Sequence, residues 1–293
     1  MFAGVHTALV TPLSDNLTLD AESFRDLIDK QFDNGVTGVV PMGTTGESPT
    51  FSHEEHTRVV QLTVKQAAGR GPVIAGTGSN STKEAISLTQ AAEQAGADAA
   101  LLVTPYYNKP SQEGLFQHYR AIAESTELPI MLYSIPGRCH IQIEVETVVR
   151  LAAECPNIQA IKEASGDPQR VIDLRAALPD DFAILSGDDA LTVEFMKNGA
   201  DGVVSVFANL APTPLVDMVA AMKAGDVSKA EEIHSCYEPL FRGLLKLDTN
   251  PVPIKAALAL AGECSARLRL PLVEMPEEKV EELRGLLSEA EIL

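Results

Sequence analysis

Positive charge is scarce in this chain. Across 293 residues, 23 Lys and Arg stand against 41 Asp and Glu, a formal net charge of −18. That balance excludes a nucleic-acid or anionic-membrane partner, because both need a basic surface. A small anionic substrate stays open, since one buried Arg or Lys sets the local field. Cysteine is sparse too. Cys139, Cys155, Cys236 and Cys264 are scattered without a CxxC pair. The spacing offers neither a disulfide framework nor a metal site, so reduced thiols in the cytoplasm, and no metal, are expected. The opening MFAGVHTALVTPLSD lacks a basic region followed by a long apolar one, so no signal peptide is expected. No apolar run approaches the length of a membrane span, and no segment is of low complexity. What is present is core-forming material. Hydrophobic residues make up 45% of the chain, enough for one large α/β domain or a domain with a helical appendage.

Short runs rich in Val, Ile and Leu recur along the chain: VHTALVTP (5–12), GVVPMG (38–43), PVIAGTG (72–78) and AALLVTP (99–105). PIMLYSIP (129–136), IQAIKEAS (158–165), AILSGDD (183–189) and GVVSVFAN (202–209) follow. Helical patterns separate them. Ser52 with Glu55 and Ser81 with Glu84 have capping-box spacing. A helix from Pro214 carries Leu215, Met218, Val219 and Met222 on one face and stops near Gly225. Strands alternating with helices imply a parallel sheet, and eight such units predict a closed (β/α)8 (TIM) barrel over 1–224. An open doubly wound sheet is the alternative, but its only dinucleotide-like run, GTGSNS (76–81), has serine in place of the third glycine. Residues 225–293 read as a helical extension without chemistry of its own. Ile233, Tyr237, Leu240 and Leu244 form one apolar stripe there, and Val280, Leu283 and Leu287 another.

Lys162 interrupts the apolar run IQAIKEAS. Lysine is rarely buried without compensation, and the plain explanation is a side chain that snorkels to solvent. Strand alternation puts Ile158, Ala160, Lys162 and Ala164 on one face and Ile161 on the other. In a barrel, that face is the lumen, and the carboxyl ends of the strands carry the active site. Burial there disfavours the ammonium and leaves an amine able to attack a carbonyl. Other strand ends supply companions. Tyr133 offers a phenol for proton relay. Thr44 and Thr45, in the glycine-bounded turn PMGTTGES, offer donors for an anion. Arg138, in SIPGRC, suits a carboxylate. Alone, GTTG is as well explained by a tight turn and Arg138 by solvation; together at one barrel mouth they suggest a site. HEEH (53–56) lacks HExxH spacing and reads as surface histidines.

GTTGES (43–48), TPYYNKPSQEGL (104–115), YSIPGR (133–138), IKEASGD (161–167) and NPVPIK (250–255) occur in that order. The set resembles the dihydrodipicolinate synthase family of pyruvate-dependent class I aldolases, a group that also contains N-acetylneuraminate lyase. The resemblance covers essentially the whole chain. It implies condensation of pyruvate with L-aspartate-4-semialdehyde to 4-hydroxy-tetrahydrodipicolinate, a step of lysine and diaminopimelate biosynthesis, without cofactor. It further implies that Lys162 forms the Schiff base and that Tyr133 moves protons through Thr44 and a neighbouring subunit's Tyr107. By the same resemblance Thr45 and the backbone of Val204 hold pyruvate, and Arg138 receives the aldehyde's carboxylate. It implies a homotetramer built as a dimer of dimers, with L-lysine as inhibitor at Ser48, Pro49, His53, His56, Asn80, Glu84 and Tyr106. Within that set His56 is expected to pair with Glu84.

Two positions depart from the family pattern, Ser134 for the common Asn and Cys139 for the usual Thr, and both are expected beside the second-substrate site. The alternatives are another pyruvate-dependent aldolase or lyase acting on a sugar acid or sialic acid, and a catalytically dead sensor. Arg138 disfavours the first, and retention of Lys162 and Tyr133 disfavours the second.

Overall fold

The computed structural model describes residues 1–293 and contains eight parallel strands. They are β1 (Gly4–Ala8), β2 (Gly38–Val40), β3 (Ile74–Gly76), β4 (Ala99–Val103), β5 (Ile130–Ser134), β6 (Ile158–Glu163), β7 (Ala183–Ser186) and β8 (Gly202–Ser205). Seven neighbouring pairs form the order β2-β1-β8-β7-β6-β5-β4-β3. A parallel bridge between Val39 and Val73 joins the two ends, so the sheet closes into a barrel and the open-sheet alternative falls. Helices follow the strands and cover the outside, as a parallel sheet buried on both faces requires.

Every strand contributes to the lumen, with Ala8, Val40, Ile74, Leu101, Met131, Ala160, Leu185 and Val204 among the side chains that fill it. Outside, Leu102, Leu132, Ile161 and Ile184 pack against the helix layer. Simple alternation along β6 misplaces one residue. The register runs Ile130 with Ile158, then Met131 with Ala160, so Gln159 is an extra residue in a bulge. Ile158 therefore joins the outer layer with Ile161 rather than the lumen, and Gln159 is exposed. A one-residue insertion reverses every face upstream of it. Downstream, Lys162 keeps the lumen side and Glu163 turns outward into a buried ion pair with Arg170 at 2.6 Å. The Glu163 carboxylate also accepts the Ser165 N–H at 2.7 Å, and Arg170 donates to the Ile143 carbonyl, fastening the end of the strand.

Local signals set most helix starts. The Ser52–Glu55 capping box opens the helix His53–Ala67. At the helix Thr82–Gln94 only half a box forms: Ser81 accepts the Glu84 N–H, while the Glu84 side chain turns to Ser79 and His53. The helix read from Pro214 begins two residues earlier and spans Pro212–Lys223, with Gly225 beyond it at φ 79°.

Beyond residue 225 lie the helices Val227–Lys246, Val252–Leu260 and Glu277–Glu289. Leu240, Leu244, Leu283 and Leu287 are buried in the same apolar core as Val5, Val39 and Val203 of the barrel. No helix is long and apolar enough to cross a membrane.

Candidate active site

Lys162 is 5% exposed, near the carboxyl end of β6, and pairs in register with Tyr133 of β5. Its Nζ stands 4.3 Å from the centre of the Tyr133 ring. Snorkelling is ruled out by this burial. Loss of hydration lowers the amine's pKa from 10.5 to about 8; the Asp189 carboxylate opposes the shift and the Arg138 guanidinium adds to it. At pH 7 about one such amine in ten is neutral, against about one in three thousand at the ordinary value. Burial raises the Tyr133 phenol well above its usual range, offset in part by Arg138 and the Thr44 hydroxyl. The phenol is therefore held protonated, able to give a proton and take it back.

The threonine turn sits across the mouth. Thr45 is buried and its Oγ1 accepts from Asn250 Nδ2 at 3.0 Å. The turn is tight at Gly46, where a Cβ would lie 3.0 Å from the Met42 nitrogen and 3.2 Å from the Leu9 carbonyl. Thr44, Thr45, Tyr133, Arg138 and Lys162 line one inner chamber of about 120 Å³ with Gly187 and Asn250. Such a chamber suits a molecule of a few heavy atoms. Arg138 is carried on the one-turn helix Pro136–Cys139 and donates to the Asn250 carbonyl at 3.1 Å.

Val204 is fully buried on the lumen face of β8; the residue from this part of the chain that lines the chamber is Val206. Tyr107 is 89% exposed with φ 72° and lines neither the chamber nor the larger cavity above it. Ser134 also differs from expectation. It alternates with Tyr133, so it faces away from the lumen opposite Glu163 and takes no part in either cavity. Cys139 does line the larger cavity, with its thiol against the Thr104 carbonyl and pushed up by burial to about 11.

That larger cavity, about 410 Å³, joins the two groups of residues singled out in the sequence. Thr44, Tyr133 and Arg138 line one part; Ser48, Pro49, His53, His56, Glu84 and Tyr106 line the rest. Asn80 lies outside the lining and donates to the Tyr106 carbonyl at 3.1 Å. The expected pairing of His56 with Glu84 is wrong. His53 Nε2 meets Glu84 Oε1 at 2.8 Å, while His56 is buried with Nε2 2.8 Å from the Gly76 carbonyl. Three residues carry a helix most of a turn around, so one histidine faces the neighbouring helix and the other the barrel. HEEH is thus a surface pair only in its first member. The Ser79 hydroxyl and then His53 hold the Glu84 carboxyl below its usual range.

Several residues of the site were missed in the sequence. Asp189 is buried, accepts the N–H groups of Val206 (3.0 Å) and Phe207 (2.9 Å), and is pushed up by burial to about 6. Gly187 abuts Lys162, and Asn250 comes from the extension read as chemically silent. The signals were present in SGDD at a strand end and in the NP step of NPVPIK. Their partners lie far off in sequence, and only the fold supplies them.

A buried lysine at the carboxyl end of a barrel strand, stacked on a tyrosine and facing two threonines, defines the lysine-dependent, class I aldolase type of (β/α)8 barrel. Residues 1–290 match the dihydrodipicolinate synthetase family, and the chain belongs to that family. It is 50% identical over 292 residues to the 4-hydroxy-tetrahydrodipicolinate synthase of Desulforudis audaxviator, covering 100% of this chain and 99% of that one. The solved structure of the chloride-inhibited dihydrodipicolinate synthase from Acinetobacter baumannii, complexed with pyruvate, superposes with a TM-score of 0.97. The two are 45% identical, with 100% of both chains covered. The lysine-bound structure of the Cyanidioschyzon merolae enzyme superposes with a TM-score of 0.97 at 40% identity, covering 100% of this chain and 99% of that one.

Proposed function

We propose that this chain condenses pyruvate with L-aspartate-4-semialdehyde to 4-hydroxy-tetrahydrodipicolinate through a Schiff base on Lys162. The observation that carries the proposal is the buried Lys162 amine, with its lowered pKa, against the Tyr133 ring. The neutral amine attacks the pyruvate carbonyl carbon; water leaves and an imine remains. The imine accepts electrons, so loss of a methyl proton gives a neutral enamine in place of a costly enolate. The enamine carbon bonds to the aldehyde carbon, whose oxygen takes a proton. The amino group of the second substrate then attacks the imine carbon, closing the ring and releasing Lys162 as the free amine. In this scheme Tyr133 carries the protons, linked by Thr44 to a partner chain's Tyr107. Thr45 and the backbone around Val204 hold the pyruvate carboxylate, and Arg138 the carboxylate of the aldehyde. The exposure of Tyr107 supports a role across a subunit boundary, in a homotetramer with a cytoplasmic place of work. Residues 1–224 form the catalytic barrel in this reading, and 225–293 the extension that closes its mouth.

Borohydride reduction in the presence of pyruvate, followed by peptide mass spectrometry, tests the proposal. The expected result is a reduced pyruvate adduct on Lys162 alone. An adduct on another lysine, or no pyruvate-dependent mass gain, defeats it.

L-lysine is the inhibitor of this reading, bound where His53, Glu84 and Tyr106 face the 410 Å³ cavity. The carboxylate of Glu84 suits the ligand's ammonium, and the relative solved with lysine bound supports lysine as the ligand. Initial rates at saturating pyruvate should fall several-fold at millimolar L-lysine in the wild type and stay constant in Glu84→Thr. A wild-type rate indifferent to lysine removes the inhibitor; equal inhibition of both proteins moves the site elsewhere.

A further inference from the structure

A second lysine is buried more completely than Lys162, and the condensation does not use it. Lys255, in the extension helix Val252–Leu260, and Glu47, in the threonine turn, are both 0% exposed and meet at 2.6 Å. A buried ion pair is seldom the most stable choice, because desolvating two charges costs about what their attraction returns. Hydrophobic residues of similar size would hold helix and turn together as well. A pair spanning 208 residues of sequence calls for a reason other than stability.

The bonds around it point to the turn. Lys255 Nζ donates to Glu47 Oε1 and, at 2.9 Å, to the Thr11 carbonyl. Glu47 Oε2 accepts the Arg269 N–H at 3.1 Å. The Arg269 guanidinium then reaches the Thr50 carbonyl at 3.0 Å and Glu55 at 2.6 and 2.9 Å, and lies 4.1 Å over the Phe51 ring. Thr11 Oγ1 donates to the Gly46 carbonyl at 2.8 Å. The turn from Thr45 to Phe51 is therefore fastened from outside at Thr45, Gly46, Glu47, Thr50 and Phe51. It also needs fastening. Met42 and Glu47, on either side of Thr44 and Thr45, have φ of 56° and 57°, in the left-handed region that side chains disfavour. Left to its own preferences, the segment would relax and take both threonine hydroxyls with it.

We infer that Glu47 and Lys255 are positioning residues for the reaction: their buried pair lets the extension hold Thr44 and Thr45 where the pyruvate carboxylate binds. The inference rests on the reading of Thr45 and Lys162 proposed above. It predicts a selective loss, since Arg138 stands on the helix Pro136–Cys139, outside the threonine turn, and its own bond to the extension is to the Asn250 carbonyl, not to the buried pair. Lys255→Met and the double variant Glu47→Gln/Lys255→Met separate positioning from bulk stability. The double variant leaves no unpaired buried charge and should melt close to the wild type. In both variants KM for pyruvate should rise about tenfold, with KM for the aldehyde within about twofold of wild type. Half-saturation of borohydride trapping on Lys162 should move up with the pyruvate KM. If Lys255→Met does not fold, the double variant decides. Wild-type pyruvate KM in the double variant overturns the inference, and so do equal rises in both KM values. Failure of the wild type to trap pyruvate on Lys162 would instead defeat the function proposed above, so the two failures are distinguishable.

Discussion

Lys162→Arg should retain about a thousandth or less of wild-type turnover, with a melting temperature within a few degrees of the wild type. A guanidinium is never neutral at working pH and cannot form the imine, so the covalent route closes. The residual rate measures what binding and orientation achieve without it. The same lysine gives the wild-type reaction a pH dependence of known sign. Its pKa is lowered to about 8, and only the neutral form attacks a carbonyl. The rate of pyruvate trapping should rise with pH up to about 8 and level off above it. A pH-independent rate from 6 to 10 would contradict this account of the nucleophile. Turnover by Lys162→Arg above about a tenth of wild type would contradict the covalent route itself.

Gly187→Ala should lower kcat by about a hundredfold while pyruvate still forms its adduct on Lys162, more slowly. A Cβ at Gly187 would sit 2.7 Å from Ala164 Cβ, 3.0 Å from Lys162 Cε and 3.2 Å from the Glu163 carbonyl oxygen. Gly187 cannot retreat freely, because its N–H is bonded to that same carbonyl at 2.7 Å. The 2.7 Å contact with Ala164 forces a small shift of backbone at the end of β6 or at Gly187, and the lysine chain, the flexible group in the contact, moves as well. A displacement of a fraction of an ångström at the nucleophile suffices for a loss of this size. Gly285→Ala is the control. It lies in the helix Glu277–Glu289 with nothing within 4 Å of the added carbon, and should be neutral or slightly stabilising. Equal kcat in Gly187→Ala and wild type would show that the lysine tolerates the intrusion.

The strands, their order along the chain and the barrel they imply were legible because each apolar run is short and bounded by helix signals. Lys162 stood out because a charged residue in a buried strand needs a reason, and the structure buries it at the barrel's lumen face. The motifs carried the family. Other features were not readable, each for a physical cause. Alternation could not reveal the bulge at Gln159, which leaves composition unchanged while reversing the face of Ile158. The resemblance placed two histidines in one set with Glu84, and only the packing of two helices selected His53 over His56 as its partner. The silence assigned to the extension failed for the same reason. Asn250, Lys255 and Arg269 look ordinary until closure of the barrel brings them against Thr45 and Glu47.

By itself, then, the sequence determined what depends on neighbours along the chain: the alternation of strands and helices, the helix starts at Ser52 and Ser81, and the chemical identity of the groups at the strand ends. The tertiary structure alone decided what depends on distant partners. It placed Asp189 and Arg138 where their fields act on Lys162, set Gly187 against the lysine chain, and brought an ion pair from 208 residues away to hold the threonine turn. Local conformation follows from backbone sterics and side-chain spacing. A depressed pKa or a constrained turn follows from burial, and burial is a property of the whole fold.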